Sequence, residues 1–273
     1  MKYQLLATDL DGTLLNQKKE LTSANKDMIN RALDAGVTVV FSSGRCLEEM
    51  RDLIPCFPKM RYAICLSGGC VFDLKENRPL FETPYDRKIL EAQYDFCREK
   101  DAMGMILTGR NLYLEERFYG HLDLVNMGHY SRSYEKYVTW VPDLSKIVYD
   151  RSIPIDKFNF YFRKEGEREE CFRIFEGAPL EMVKAEKTGI ECNPSGVSKG
   201  EALKELCRRL SIPVEASIAI GDSDNDLSML KAAGLPLAVA GSTQVILDAA
   251  AFVTADCDHD AVAEALQRWI LKN

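Results

Sequence analysis

Tyr3-Gln4-Leu5-Leu6-Ala7-Thr8-Asp9-Leu10-Asp11-Gly12-Thr13 sets a short apolar run directly against a polar turn with glycine at its bend. That order reads as a buried strand whose carboxyl end delivers two carboxylates. Asp9 and Asp11 are two residues apart, so regular strand geometry turns both side chains to one face. From Thr22 or Ser23 a helix is expected, with Ile29, Ala32 and Leu33 on its apolar side and Gly36 closing it. A strand over 37–41 follows and completes a βαβ unit. This second strand ends in Ser42-Ser43-Gly44-Arg45, and a helix is expected over 47–54, stopping before Pro55. A third apolar run, 62–66, ends in Ser67-Gly68-Gly69. Three strands that each end in small polar residues predict an open, mostly parallel sheet with its ligand crevice at the strands' carboxyl ends.

Between about 83 and 188 this rhythm gives way to aromatic and charged residues interleaved with helical segments. The pattern predicts helices over 88–100 and 167–176, a helical region over 119–130, and strands over 105–107, 111–114, 157–163 and 180–185. The first rhythm then returns with a helix over 199–210 and a strand over 217–220 that ends in Gly221-Asp222. A helix over 225–233 closed by Gly234, short strands over 235–239 and 251–253, and a terminal amphipathic helix over 261–271 complete it. The expected organisation is an α/β protein: a Rossmann-like, doubly wound core formed by 1–82 and 189–273, with an inserted α/β domain at 83–188.

The bulk numbers fit two ordinary domains, since 273 residues with 46% hydrophobic and 28% charged side chains can bury substantial cores. The formal charge of −7 and the lack of a long Lys/Arg run argue against a nucleic acid as partner. An acidic chain that takes an anionic substrate must do so through a local gathering of cations, backbone N–H groups or metal. No segment nears the roughly 20 apolar residues of a membrane span, and no signal core completes before Asp9, so no membrane association and a cytoplasmic location are expected. Nine scattered cysteines, an odd number without a CxxC pair, read as free thiols in a reducing compartment.

Asp222 and Asp226 stand at a strand-to-helix junction, where a four-residue separation brings side chains together. Should this strand neighbour the first, four carboxylates converge, an arrangement that repulsion opposes unless a divalent cation neutralises it. All-oxygen donors select a hard ion such as Mg2+ over zinc. Lys199 begins a helix, where the dipole disfavours a cation, which marks it as a partner for an anion. Ser43 and the Gly44 amide suit an anion cradle. His121, His129 and His259 lack the spacing of a metal site or a triad. The insert's aromatic set, Tyr113, Phe118, Tyr119, Tyr130, Tyr134, Tyr137 and Trp140, reads as packing or surface before sugar stacking, and Arg45 and Arg110 suit surface ion pairs or a substrate anion equally.

Taken together these residues resemble the haloacid dehalogenase superfamily, and within it the Cof-like branch of sugar-phosphate phosphatases. Asp9-Leu10-Asp11-Gly12-Thr13-Leu14 is similar to its first motif and Ser43-Gly44-Arg45 to its second. Ser198-Lys199-Gly200 is similar to the third, and Gly221-Asp222-Ser223-Asp224-Asn225-Asp226 with Met229-Leu230 to the fourth. The resemblance implies a Rossmann-like core with a large α/β cap between the second and third motifs. It implies that Asp9 attacks phosphorus, that Asp11 is first acid and then base, and that Mg2+ is held by the Asp9 carboxylate, the Asp11 main-chain oxygen and Asp222. Ser43, Gly44, Lys199 and Asn225 would hold the phosphoryl oxygens, with Asp226 orienting Lys199 or a water on the metal. Three departures bear on substrate contacts: Ser67 replaces a common Asn, Ala240-Gly241-Ser242 a Gly-Asn-Ala-like turn, and Asp260-Ala261 an Asp-Gly.

The expected partner is a small phosphomonoester, a sugar phosphate or phosphorylated cofactor. A phosphomutase would use the same intermediate, and a phospho-acceptor switch a similar pocket. The insert and Asp11 speak against the switch, because a general acid serves turnover.

Overall fold

A computed structural model describes residues 2–271 of the chain. Two compact units divide it: Met1–Phe81 with Ser198–Asn273, and Glu82–Val197. The first unit opens with β1 (Leu5–Thr8) and α1 (Ser23–Asp34). It continues through β2 (Thr38–Ser42), β3 (Tyr62–Cys65), β4 (Cys70–Asp73) and β5 (Arg78–Glu82). The α1 helix begins where a hydroxyl meets a free N–H: Thr22 is its N-cap and accepts from the Asn25 amide at 3.2 Å.

The second unit contains α2 (Arg87–Glu99), β6 (Met103–Leu107), β7 (Leu112–Glu115), α3 (Ser131–Tyr137), β8 (Val138–Val141) and α4 (Ser145–Val148). It ends with β9 (Lys157–Tyr161), α5 (Glu165–Ile174), β10 (Leu180–Ala185) and β11 (Gly189–Pro194). The chain then returns to the first unit with α6 (Lys199–Leu210), β12 (Ser217–Gly221), α7 (Leu227–Ala232) and β13 (Leu235–Val239). The last elements are α8 (Gln244–Ala249), β14 (Phe252–Thr254) and α9 (Ala261–Trp269).

The first unit's sheet runs β14-β13-β12-β1-β2-β3-β4-β5, parallel from β14 to β3, with β4 antiparallel to β3. After β1 the chain moves by way of α1 to β2 on one side, and it returns much later to β12 on the other. Such a reversal of strand order opens a crevice at the carboxyl ends, here between β1 and β12. Leu5, Ala7, Val40, Ile64 and Ala219 of one sheet face pack on Ala202, Leu203 and Leu206 of α6 and Met229 and Leu230 of α7. Each fully buried leucine there contributes about 1.5–3 kcal/mol of apolar burial. Because strand side chains alternate, Asp9 follows Leu5 and Ala7 onto the α6 side of the sheet.

The second unit is a six-stranded sheet, β10-β11-β9-β6-β7-β8, antiparallel except for β7 beside β8. Phe158, Phe160, Ile190 and Cys192 join α2, α4 and α5 residues such as Leu90, Phe96, Val148 and Cys171 in its helix-side core.

Several expectations are corrected. The segment over 47–54 forms two short 3-10 turns, Glu48–Met50 and Ile54–Cys56, rather than one helix. It is too short to repay helix nucleation, and the Glu49 side chain takes the Cys46 amide. The region over 119–130 likewise holds 3-10 turns, Leu122–Val125 and Gly128–Tyr130, split by Asn126 in the left-handed region. The second unit also extends past 188: Gly189–Pro194 pairs with β10 and β9, joined to β10 by a turn in which Glu186 has φ 50°. All nine cysteines are free thiols. Among the described residues no helix is long and apolar enough to cross a membrane.

Candidate active site

Parallel pairing of β1 with β12, Thr8 beside Ile220, puts Asp9 and Asp222 at adjacent strand ends. The ladder continues one residue further, the Asp9 amide donating to the Ile220 carbonyl at 3.0 Å. One oxygen each from Asp9, Asp222 and Asp226 lies within 4.8 Å of the others, so the neighbouring strands bring together three of the four carboxylates expected to converge, Asp11 being the exception. Gly12 makes room for this: its φ is +84°, and a Cβ there would stand 2.6 Å from Asp222 Oδ2.

Lys199, fully buried, joins the group. Its Nζ donates to Asp9 Oδ1 and to Asp226 Oδ1, both at 2.6 Å. Asp226 in turn accepts the Asp222 and Ser223 amides through Oδ2, at 3.0 and 3.2 Å. Asp226 thus holds both the lysine and the backbone that carries Asp222. Burial pushes the Asp9 carboxyl up to about 7 against the pull of Lys199, with the Asp226 and Asp222 carboxylates adding to the rise. Lys199 is raised above its ordinary value: burial opposes its charge, but the Asp9 and Asp226 carboxylates outweigh it. Asp222 is raised by burial despite a hydrogen bond from Thr13.

With all three carboxylates ionised, the cluster would exceed its one ammonium by two charges. Surplus negative charge, an all-oxygen donor set and a raised Asp9 suit a hard divalent cation.

The Asp11 carboxylate is turned elsewhere. Arg45 grips it with Nε on Oδ2 at 2.9 Å and Nη2 on Oδ1 at 2.6 Å, and Lys19 Nζ adds a third contact at 2.8 Å. Burial raises this carboxyl, yet Arg45 and Lys19 together hold it below the usual carboxylate range. Ser43 is buried at the end of β2, and its hydroxyl accepts the Arg45 amide at 3.3 Å. Gly44 leaves a gap of 3.4 Å between an added Cβ and Ser67 Oγ, and the Ser67 amide donates to the Ser43 carbonyl at 2.9 Å. Asn225 is exposed, and its carbonyl oxygen accepts from Ser223 at 2.9 Å.

Three residues here fall outside the sequence-based set. Thr13 donates to Asp222 Oδ1 at 2.6 Å. Lys19 and Arg45 form the clamp on Asp11, Arg45 having been weighed equally as a surface ion pair. Thr13 lies inside the decisive stretch and was open to inspection there, whereas Lys19 carries no local signal.

Residues 6–266 match the sequence model of the haloacid dehalogenase-like hydrolases. The chain is 28% identical over 269 residues to the 5-amino-6-(5-phospho-D-ribitylamino)uracil phosphatase YcsE of Bacillus subtilis, covering 98% of this chain and 96% of that one. It is 25% identical to a phosphoglycolate phosphatase of Methanoculleus marisnigri, covering 97% and 95%. Among solved structures it resembles a haloacid dehalogenase-like hydrolase from Bacteroides thetaiotaomicron, with a TM-score of 0.85, 24% identity and coverage of 97% and 99%.

Proposed function

We infer the reaction from family and site together: the chain belongs to the haloacid dehalogenase-like hydrolase family, it is a phosphoric monoester hydrolase, and its nucleophile is Asp9. The observation that carries the reading is the buried Asp9–Lys199–Asp226 chain, with Asp222 beside it. An Asp9 oxygen attacks phosphorus as the ester P–O bond breaks, and the leaving oxygen takes a proton from Asp11. Asp11, now a carboxylate, removes a proton from water, which attacks the aspartyl-phosphate and returns Asp9 as phosphate leaves. Lys199, Ser43, the Gly44 amide and Asn225 hold the phosphoryl oxygens, charge neutralisation being what such a transfer chiefly needs. Asp9, the Asp11 main-chain oxygen and Asp222 would hold Mg2+, which when bound keeps Asp9 ionised and offsets phosphoryl charge. The Arg45–Lys19 clamp favours the Asp11 carboxylate required of the base in the second step and disfavours the protonated acid of the first, so the acid role requires Asp11 to leave the clamp.

The substrate is a small phosphomonoester, a sugar phosphate or phosphorylated cofactor. A phosphorylated ribitylamino compound and phosphoglycolate are the substrates named for two of the relatives. Asp9→Asn keeps the size of the side chain and loses the attacking oxygen charge. Phosphate release from p-nitrophenyl phosphate should then fall below a few per cent of wild type, with the thermal midpoint retained. A chelator should abolish wild-type turnover and Mg2+ restore it. An active Asp9→Asn enzyme, or full turnover in metal-free buffer, overturns the assignment.

A further inference from the structure

Ser42, at the end of β2, is a buried hydroxyl for which the reaction as derived has no use. It pairs with Ile64 of β3, as Val40 pairs with Tyr62, and so shares with those residues the sheet face that packs on α6. On the other side of β2, the β1 register sets Thr8 beside Phe41, and continued by one pair it sets Asp9 beside Ser42. Asp9 lies on the same face, two residues beyond Ala7, and is met there by Lys199. Adjacent strands thus seat a serine next to the nucleophile, on the side of the sheet where Lys199 holds it.

Ser42 is 0% exposed, and its Oγ has no hydrogen-bond partner. A buried polar group left unpaired destabilises a fold, and native proteins retain few of them without a reason. The chemistry of its surroundings supplies one. The Lys199 ammonium has only donors and cannot take the hydroxyl proton. The Asp9 carboxylate can: among the described residues its side chain accepts from Lys199 alone, which leaves lone pairs on its two oxygens unused. A hydroxyl proton rotates to suit its acceptor, so a small turn of either side chain completes the bond. Such a bond acts unequally on the two halves of the reaction. When water attacks the aspartyl-phosphate, the bond between Asp9 and phosphorus breaks and its electron pair returns to Asp9 as carboxylate charge. A donor holds an ionised carboxylate more strongly than a neutral acyl oxygen, so it favours the departure of Asp9 and gives no help to its attack.

We propose that Ser42 is a positioning residue for Asp9, its hydroxyl donating to the carboxylate as the aspartyl-phosphate is hydrolysed. The proposal rests on the phosphomonoesterase reading above, with Asp9 as nucleophile. The test is Ser42→Ala in the full chain, followed by rapid mixing with p-nitrophenyl phosphate and Mg2+. Release of p-nitrophenol reports formation of the phosphoenzyme, and release of phosphate reports its hydrolysis. Hydrolysis should slow about ten-fold, the loss expected of one hydrogen bond to a charged group, while formation is not slowed. A larger share of the variant should therefore stand phosphorylated in the steady state. Its thermal midpoint should hold or rise, because the substitution removes an unpaired buried hydroxyl. Unchanged hydrolysis in the folded variant overturns the proposal. Equal slowing of both steps also overturns it, as that is the mark of a disturbed site and not of a lost donor. A lowered midpoint does the same, since it would show the hydroxyl to be bonded within the resting fold. If wild type releases no p-nitrophenol, or if Asp9→Asn still forms a phosphoenzyme, it is the reading of the reaction that fails, whatever Ser42 does.

Discussion

Asp222 owes its orientation to a hydroxyl: Thr13 Oγ1 donates to its Oδ1 at 2.6 Å, while its other oxygen lies beside the space that Gly12 leaves open. Contacts that orient a ligating carboxylate typically carry 10–100-fold in metal affinity. Thr13→Val preserves shape and removes the donor. The Mg2+ concentration giving half-maximal activity should rise about 10–100-fold, with the thermal midpoint nearly unchanged. An unaltered requirement, read from a metal titration of turnover, would mean that Asp222 is oriented by its backbone alone. The Asp11 clamp has a pH signature. Arg45 and Lys19 lower the Asp11 carboxyl against its burial, so removing one cation raises it. A base is lost as pH falls through its pKa, and the Arg45→Met enzyme should therefore lose dephosphorylation at a higher pH than wild type. Single-turnover release from the phosphorylated enzyme across pH 4 to 8 would show it, and a stationary acid limb would relieve Asp11 of the role. The aspartates of this site were legible because strand period and junction spacing are local properties. Arg45 was not, since a guanidinium and a carboxylate 34 positions away meet only once β1 and β2 are paired.

Among the elements, α6 bears the most, because its first residue is the buried Lys199. Its start is held by Ser198, whose hydroxyl accepts the Glu201 amide at 3.2 Å. Across from it Gly68 has φ +106°, and a Cβ there would fall 2.2 Å from the Ser198 carbonyl oxygen, where only backbone can yield. Gly68→Ala should therefore displace the start of α6. A misplacement of about 1 Å at a reacting group costs on the order of 100-fold in rate, so kcat should drop by that order together with the thermal midpoint. Loss of stability alone would show that Lys199 adjusts independently. In the inserted unit, the residue before β9 sets a pH dependence. Asp156 is buried, takes the Gly109 amide at 2.7 Å, and has one oxygen without a partner. Burial, reinforced by Glu82, raises its carboxyl from 3.8 to about 7. Its folded-state pKa exceeds the unfolded value, so the stability it confers is complete below about pH 4 and is lost as pH rises through about 7. Asp156→Asn should flatten the thermal midpoint across that window, and a variant as pH-sensitive as wild type would remove Asp156 as the source. The α6, β10 and β13 spans were readable to the residue because their periodic runs end on strong punctuation. The strand β8 and the short helix α8 were not, since four and six residues fix no period.

At the scale of the whole chain, the order of strands decides where one unit stops. Apolar rhythm places the return to the first unit near 189. Pairing overrides that reading: β11 lies between β10 and β9 in the second sheet, with six pairs to one and four to the other. A strand inside a sheet has both edges satisfied, and deleting it strips the ladder bonds of both neighbours and leaves exposed edges prone to aggregate. It would also remove Ile190 and Cys192 from the helix-side core. The segment 82–197 holds that core entire and is domain-sized. Expressed alone it should be monomeric, show the mixed α/β spectrum of the intact insert and unfold in one cooperative step. The segment 83–188, which ends before β11, should instead be aggregated or lack a cooperative transition. Circular dichroism and size-exclusion chromatography on the two fragments provide the comparison. Equal folding of both would mean that the unit's stability resides in β9, β6 and β7 with their helices, and that β11 is an addition to a sheet already complete without it.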